Sequence, residues 1–225
     1  MPANDFTRTL VIDSATSACS VALFEGTTLI EGAWRNLGRG HAEALVPMIA
    51  ALPDRGRAGR IAVALGPGSF TGVRVGLAAA RALALAWGSA IVGYPSLALI
   101  AAMARAQDGD GPLDVAMTGG HGEWFVESFD AAGHTLQPLA SLPPEAAASR
   151  LRAERVAGNQ AEALVARRKF GTPLNLLPDA RAFAALPDNC LTADISPLYG
   201  RAPDARPASP APPPSRPPAA MPAPT

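Results

Sequence analysis

The chain has 225 residues, of which 48% are hydrophobic and 17% charged. This excludes a polar unfolded chain and allows one α/β domain or two small lobes without disulfide staples. Its 19 basic residues balance 19 acidic ones with no basic run, so any nucleic-acid role is expected to be shared with a partner.

The first ten residues lack the charged-then-apolar pattern of a signal peptide. Thr9–Asp13 (TLVID) reads as a buried strand, followed by a turn. Cys19–Glu25 (CSVALFE) alternates, and EGTT reads as a hairpin into LIEGAW, so three antiparallel strands open the chain. His41–Leu52 places Ala44, Leu45, Met48, Ile49 and Leu52 at helical spacing, with Pro47 inside. Arg60–Leu65 is a fourth strand and AIVGY a fifth. Between them a helix is expected from about Thr71 to Trp87, and Ser96 is expected to cap a third helix. The longest apolar stretch, Val75 to Val92, carries Arg81 and reads as helix plus strand, not as a membrane span.

A first lobe is therefore expected over residues 1–106, ordered β-β-β-α-β-α-β-α, and a smaller second lobe over 107–201. In that lobe LDVAMT, EWFVESFD and HTLQPLA read as strands around GGHG. ERVAG is a strand flanked by short helices, and DARAFAAL is a last helix. Residues 202–225 hold ten of the 23 prolines and read as a disordered Pro/Ala-rich tail. Cys19 and Cys190, far apart and outside any CxxC, read as reduced thiols.

The stretch ALGPGSFTGVRVG looks like a phosphate cradle. A P-loop needs a Lys after its last glycine, and here Val73 and Arg74 follow Gly72. A dinucleotide fingerprint needs G-x-G-x-x-G and an acid at the next strand's end. Gly72 falls one place late, and AIVGY ends without an acid. No G-x-S-x-G surrounds Ser69. What remains is a tight turn, a Ser69 or Thr71 cap, and a helix with a small-residue surface of Gly72, Gly76, Ala79, Ala80 and Leu83. Such a surface admits a close backbone, either this chain's own sheet or a partner's helix. Arg74 and Arg81 share one stripe, facing either solvent or a partner's acids.

His41 has Leu45, not a second His, four residues on, so it makes no helical metal pair. His121-Gly-Glu123 imitates a deaminase H-x-E, but no P-C-x-x-C follows. Asp13, Ser14, Thr16 and Ser17 sit where an actin-like ATPase places its first phosphate loop, with an acid for Mg²⁺ and hydroxyls for phosphate. No glycine lies between Asp13 and Cys19, which disfavours close phosphate approach.

LVIDSATSACSVALFEG, GHAEALVPMI, IAVALGPGSFTGVRVGLAAARALA and VGYPSLALIA together closely resemble the TsaB (YeaZ) family, over residues 9 to about 102. GNQAEAL and SPLYGRAPDA extend the resemblance more thinly. It implies an α/β actin-like (Hsp70-like) two-lobed fold, full in the first lobe and reduced in the second. It also implies a non-catalytic subunit that pairs with the catalytic paralogue TsaD and supports the ATPase TsaE in forming threonylcarbamoyladenosine on tRNA, in the cytoplasm. Contact with tRNA would come only through the complex. The implied partner surface is Gly72, Val73, Arg74, Gly76, Ala79, Ala80, Arg81 and Leu83, with His41 and Leu45 of the preceding helix. Asp13, Ser14, Thr16 and Ser17 would be a vestigial phosphate loop, with no metal site and at most weak ATP/ADP–Mg binding. Family members carry Asp-Ala-Arg where this chain has Thr118-Gly119-Gly120, and Asp-Thr-Ser-Thr where it has Asp13-Ser14-Ala15-Thr16. Two alternatives stay open: an actin-like ATPase or small-molecule kinase using Asp13 and Thr16, and a homodimer in the absence of TsaD.

Overall fold

The structure, a computed structural model, describes residues 8–200; the Pro/Ala-rich tail lies outside the described residues. Strands β1 (Arg8–Asp13), β2 (Ala18–Glu25) and β3 (Thr28–Asn36) form an antiparallel meander. β4 (Arg60–Ala64) and β5 (Ala90–Tyr94) add in parallel, giving the order β3-β2-β1-β4-β5. β1 is central and covered on both faces, which explains why it reads as an unbroken apolar run.

Helix α1 (His41–Ala50) precedes β4, α2 (Phe70–Trp87) joins β4 to β5, and α3 (Ser96–Asp108) follows β5. α3 is buried nearly all round, because it lies between a 3-10 turn at Ala180–Ala185 and strands of the second sheet. Pro95, not Ser96, stands at its N-cap position.

The second lobe contains β6 (Leu113–Thr118), β7 (Trp124–Phe129), β8 (Thr135–Leu142), α4 (Pro144–Arg150), β9 (Arg155–Ala157), α5 (Ala161–Arg168) and β10 (Thr172–Leu174). Its sheet order, β10-β9-β6-β7-β8, repeats the first: two antiparallel strands on one side of β6 and two parallel strands on the other. The lobe is thus reduced in element length, not in strand number. β10 has three residues with Pro173 at its centre, too short for an alternation signal. The two like-wound lobes make a two-lobed α/β fold.

The chain then returns to the first lobe. DARAFAAL forms a 3-10 turn, Ala180–Ala185, rather than an α-helix. Phe183 packs against Phe24 and Tyr94, with ring centroids 6.1 and 5.6 Å apart, and Ala180 N–H donates to Ser20 Oγ. Residues that the sequence groups with the second lobe therefore complete the core of the first. Cys19 and Cys190 are both free thiols.

Candidate functional site: the interlobe cleft and the outer face of two helices

A cleft of about 850 Å³ opens between the lobes. From the first lobe it is lined by Thr16, Ser17 and the Pro67–Phe70 turn; from the second by Met117–His121 and Phe125. Tyr199 and Gly200, at the end of the described chain, also line it. The two strand-end turns, after β1 and after β6, face it as topology requires of two equivalent lobes.

Of the expected phosphate loop, Thr16 and Ser17 reach the cleft, but Asp13 and Ser14 do not line it. Asp13 is 1% exposed. Its Oδ1 accepts the Ala15 N–H at 3.0 Å, and Tyr94 Oη lies 3.4 Å from its Oδ2. Burial pushes the Asp13 carboxyl up to about 7, against the lowering effect of those two hydrogen bonds. Ser14 Oγ donates to the Gly72 carbonyl. Among the residues lining the cleft there is no carboxylate, so the set does not fit a Mg²⁺-nucleotide held through Asp13. The ATPase or kinase reading loses its metal-binding acid to a structural role. Among the described residues, no group of three or more His, Cys, Asp and Glu could hold a metal ion.

The glycine-rich turn has a different task. Ser69 caps α2, accepting the Gly72 N–H at 3.3 Å, while its own N–H donates to the Ala15 carbonyl. A Cβ on Gly72 would collide with the Ser14 carbonyl oxygen, and one on Gly76 would stand 2.6 Å from Ser14 Oγ. The glycines let α2 lie directly on the turn after β1. Gly72, Val73, Gly76 and Ala80 are buried there against the chain's own sheet, as are Leu45 and His41 of α1. Of the expected partner surface, Gly72, Val73, Gly76, Ala80, His41 and Leu45 thus point inward, while Ala79 and Leu83 are half-buried and Arg74 and Arg81 exposed. The only charged side chains of α2, Arg74 and Arg81, are exposed and mark its outward stripe.

Arg74 and Arg81 are exposed on the outward stripe of α2, and each also contacts the chain's own C-terminal segment. The Arg74 guanidinium lies 3.7 Å from the centroid of the Phe70 ring, and its Nε donates to Tyr199 Oη. Phe70 and Tyr199 stack with centroids 5.7 Å apart. Arg81 donates to the Ile195 carbonyl. Both arginines hold the chain's own C-terminal segment along α2. That contact spans over a hundred residues of sequence, so helical spacing could not reveal it.

The outward side of α2 carries Ala78, Ala82, Leu85 and Ala86, with Ala79 and Leu83 half-buried beside them. Leu85 is 88% exposed, and Val46 on the adjacent α1 is 60% exposed. α2 has 18 residues and a mean hydropathy of 1.2, and is the one described helix long and apolar enough to cross a membrane; only 28% of it is buried. An apolar helix this open is unusual in a folded chain and marks an unpartnered face.

Comparison with known proteins places this geometry. The family described as TsaD, tRNA N6-adenosine threonylcarbamoyltransferase, matches residues 35–181. The chain is 34% identical to the tRNA threonylcarbamoyladenosine biosynthesis protein TsaB of Escherichia coli K12, over 61% of this chain and 63% of that one. It is 31% identical to the tRNA N6-adenosine threonylcarbamoyltransferase of Corynebacterium diphtheriae, over 64% of this chain and 41% of that one. The matched region thus spans less than two thirds of each of these curated relatives. YeaZ from Pseudomonas aeruginosa superposes with a TM-score of 0.73 at 27% identity, over 86% of this chain and all of that one. A second structure, of an uncharacterized protein with similarity to peptidase YEAZ from the same organism, gives 0.69 at 28% identity, over 80% and 90%. With its two like-wound lobes and these relatives, the chain belongs to the TsaB/YeaZ family, within the wider TsaD family.

Proposed function

We propose that the chain is a partner subunit without chemistry of its own in the formation of threonylcarbamoyladenosine on tRNA. It pairs with a TsaD-type threonylcarbamoyltransferase, supports TsaE in the same assembly, and meets tRNA through that complex in the cytoplasm. The docking surface is the outward side of α1 and α2, centred on Val46, Ala78, Ala82 and Leu85. The observation that carries this reading is the exposed apolar side of α2, in a chain whose family includes both the transferase and its biosynthetic relative. Burying such a face against a partner helix contributes about 25 cal/mol per Å² of apolar area before the costs of association. Small alanines there admit a close helix crossing. Without TsaD, the same face would pair two copies of the chain.

The test is size-exclusion chromatography with light scattering on the chain mixed with its cognate TsaD. The native chain is expected to co-elute with it. Leu85→Arg combined with Val46→Arg is expected to elute separately and to abolish reconstituted threonylcarbamoyl transfer. Both side chains are solvent-facing, so the fold survives the change. Undiminished pairing by the double variant would overturn the assigned surface.

A further inference from the structure

Each sheet has two outer edges, and three of the four are blunted. β10 has Pro173 at its centre. Pro138 interrupts β8, and Arg150 donates to its carbonyl. On β5 the C-terminal segment returns as a strap, with Thr192 and Gly93 exchanging both backbone hydrogen bonds. Such devices keep a sheet from pairing with another chain. β3 has no proline and no covering strand. Its nine residues, Thr28–Asn36, pair on one side with β2, and on the other side no strand adjoins them among the described residues. Thr28–Glu31, with the apolar Leu29 and Ile30, are exposed, as are Arg35 and Asn36.

We propose that the outer edge of β3 pairs with the same edge of a second copy of this chain, antiparallel about a two-fold axis through Ala33. In this register Glu31 of each copy faces Arg35 of the other, so every dimer contains the opposite-charge pair twice. Glu31 and Arg35 project from the same face of β3, because the strand pairs regularly with β2 from Glu31 to Asn36. Neither side chain makes a hydrogen bond or ion pair among the described residues. Between the charges the two small Ala33 side chains meet, which lets the strands approach. Opposite charges facing each other across paired strands favour the pairing, and like charges oppose it. The contact is isologous, so it closes at two copies and joins two five-stranded sheets into one. It uses the backbone edge of β3 and is independent of the proposed pairing with TsaD, which uses the outward side of α1 and α2.

The test is sedimentation velocity over a concentration series. The parent is the full-length chain carrying Val46→Arg and Leu85→Arg, which removes self-pairing through the outward side of α1 and α2. This parent is expected to form a dimer. Adding Glu31→Arg, or in a separate protein Arg35→Glu, makes both facing pairs like-charged. Each variant alone is expected to dimerise about tenfold more weakly than the parent or worse, because two contacts per dimer turn repulsive. Mixing the two variants sets opposite charges face to face again, and the mixture is expected to associate as the parent does. Glu31 and Arg35 are both exposed, so the fold survives either change. A parent that stays monomeric throughout the series would overturn the proposal. Single variants that dimerise as well as the parent would also overturn it, as would a mixture that remains monomeric.

Discussion

Tyr94 Oη lies 3.2 Å from the Ile12 carbonyl and 3.4 Å from Asp13 Oδ2, locking the ends of β5 and β1 together beneath the cleft. Both groups are buried, and burial raises both pKa values, the Asp13 carboxyl to about 7 from its usual 3.8. Between those two pH values the folded chain binds a proton that the unfolded chain has released. Stability due to Asp13 therefore falls as pH rises through that window and levels off above about 7. Asp13→Asn removes the titration and keeps an acceptor for the Ala15 N–H. The stability of the variant minus that of the native chain is expected to grow from pH 4 to 7, by at most about 1.4 kcal/mol per pH unit. Denaturant melts across pH 4–9 measure it, and parallel curves would show that Asp13 is ionised in the fold.

Gly72→Ala puts a methyl group into the Ser14 carbonyl, which is backbone and cannot swing aside. α2 or the turn after β1 must shift, at a cost of about 1–3 kcal/mol or more. Gly120→Ala, with open space around the built Cβ, is expected to be near neutral. Thermal melts of the two variants compare them directly. Near-equal losses would mean that the close approach of α2 to Ser14 is not a constraint on the fold.

That contrast marks where the sequence is legible. The strands of the first lobe and the extent of α2 follow from local alternation and spacing, and each is found; of the two hydroxyls offered as its cap, Ser69 rather than Thr71 fills the place. The inward orientation of Gly72 and Gly76 depends on Ser14, which lies far away in sequence, and the Arg74–Arg81 stripe alone does not say whether a sheet or a partner covers the opposite side. Asp13 occupies the expected strand end, yet its partner Tyr94 comes from β5, so sequence suggested a ligand where the fold makes a tie. Phe70 and Tyr199 at the cleft mouth were missed for the same reason. The aromatic in SPLYG was the available clue, but only the strap's return to α2 gives it meaning.

In the second lobe, Arg168 and Asp114 form an ion pair at 3.1 Å with side chains 2% and 1% exposed. The remaining polar atoms are satisfied: Asp114 also accepts from Ser128 Oγ and the Ala153 N–H, and Arg168 donates to the carbonyls of Ala153 and Phe170. Breaking such a pair leaves a buried charge alone, at about 3–5 kcal/mol. Arg168→Met is expected to cost that much, and Asp114→Asn somewhat less. The double variant should lose less than the sum, with a coupling of about 1–3 kcal/mol in a denaturant-melt cycle. Additive losses would show that the two side chains act independently.

The strap along α2 gives the last prediction. Arg74 stacks on Phe70 and is hydrogen-bonded to Tyr199 on an exposed face, a contact worth about 0.5–1 kcal/mol. Arg74→Leu is therefore expected to leave global stability nearly unchanged. It should speed hydrogen exchange over residues 195–200, because Tyr199 loses its partner. Pairing with TsaD is expected to persist, since Val46 and Leu85 are untouched. If Arg74→Leu instead abolished pairing and left exchange at 195–200 unaltered, Arg74 would be a partner-facing residue and its contact with Tyr199 incidental. The two readouts separate an arginine that holds its own chain from one that reaches for another.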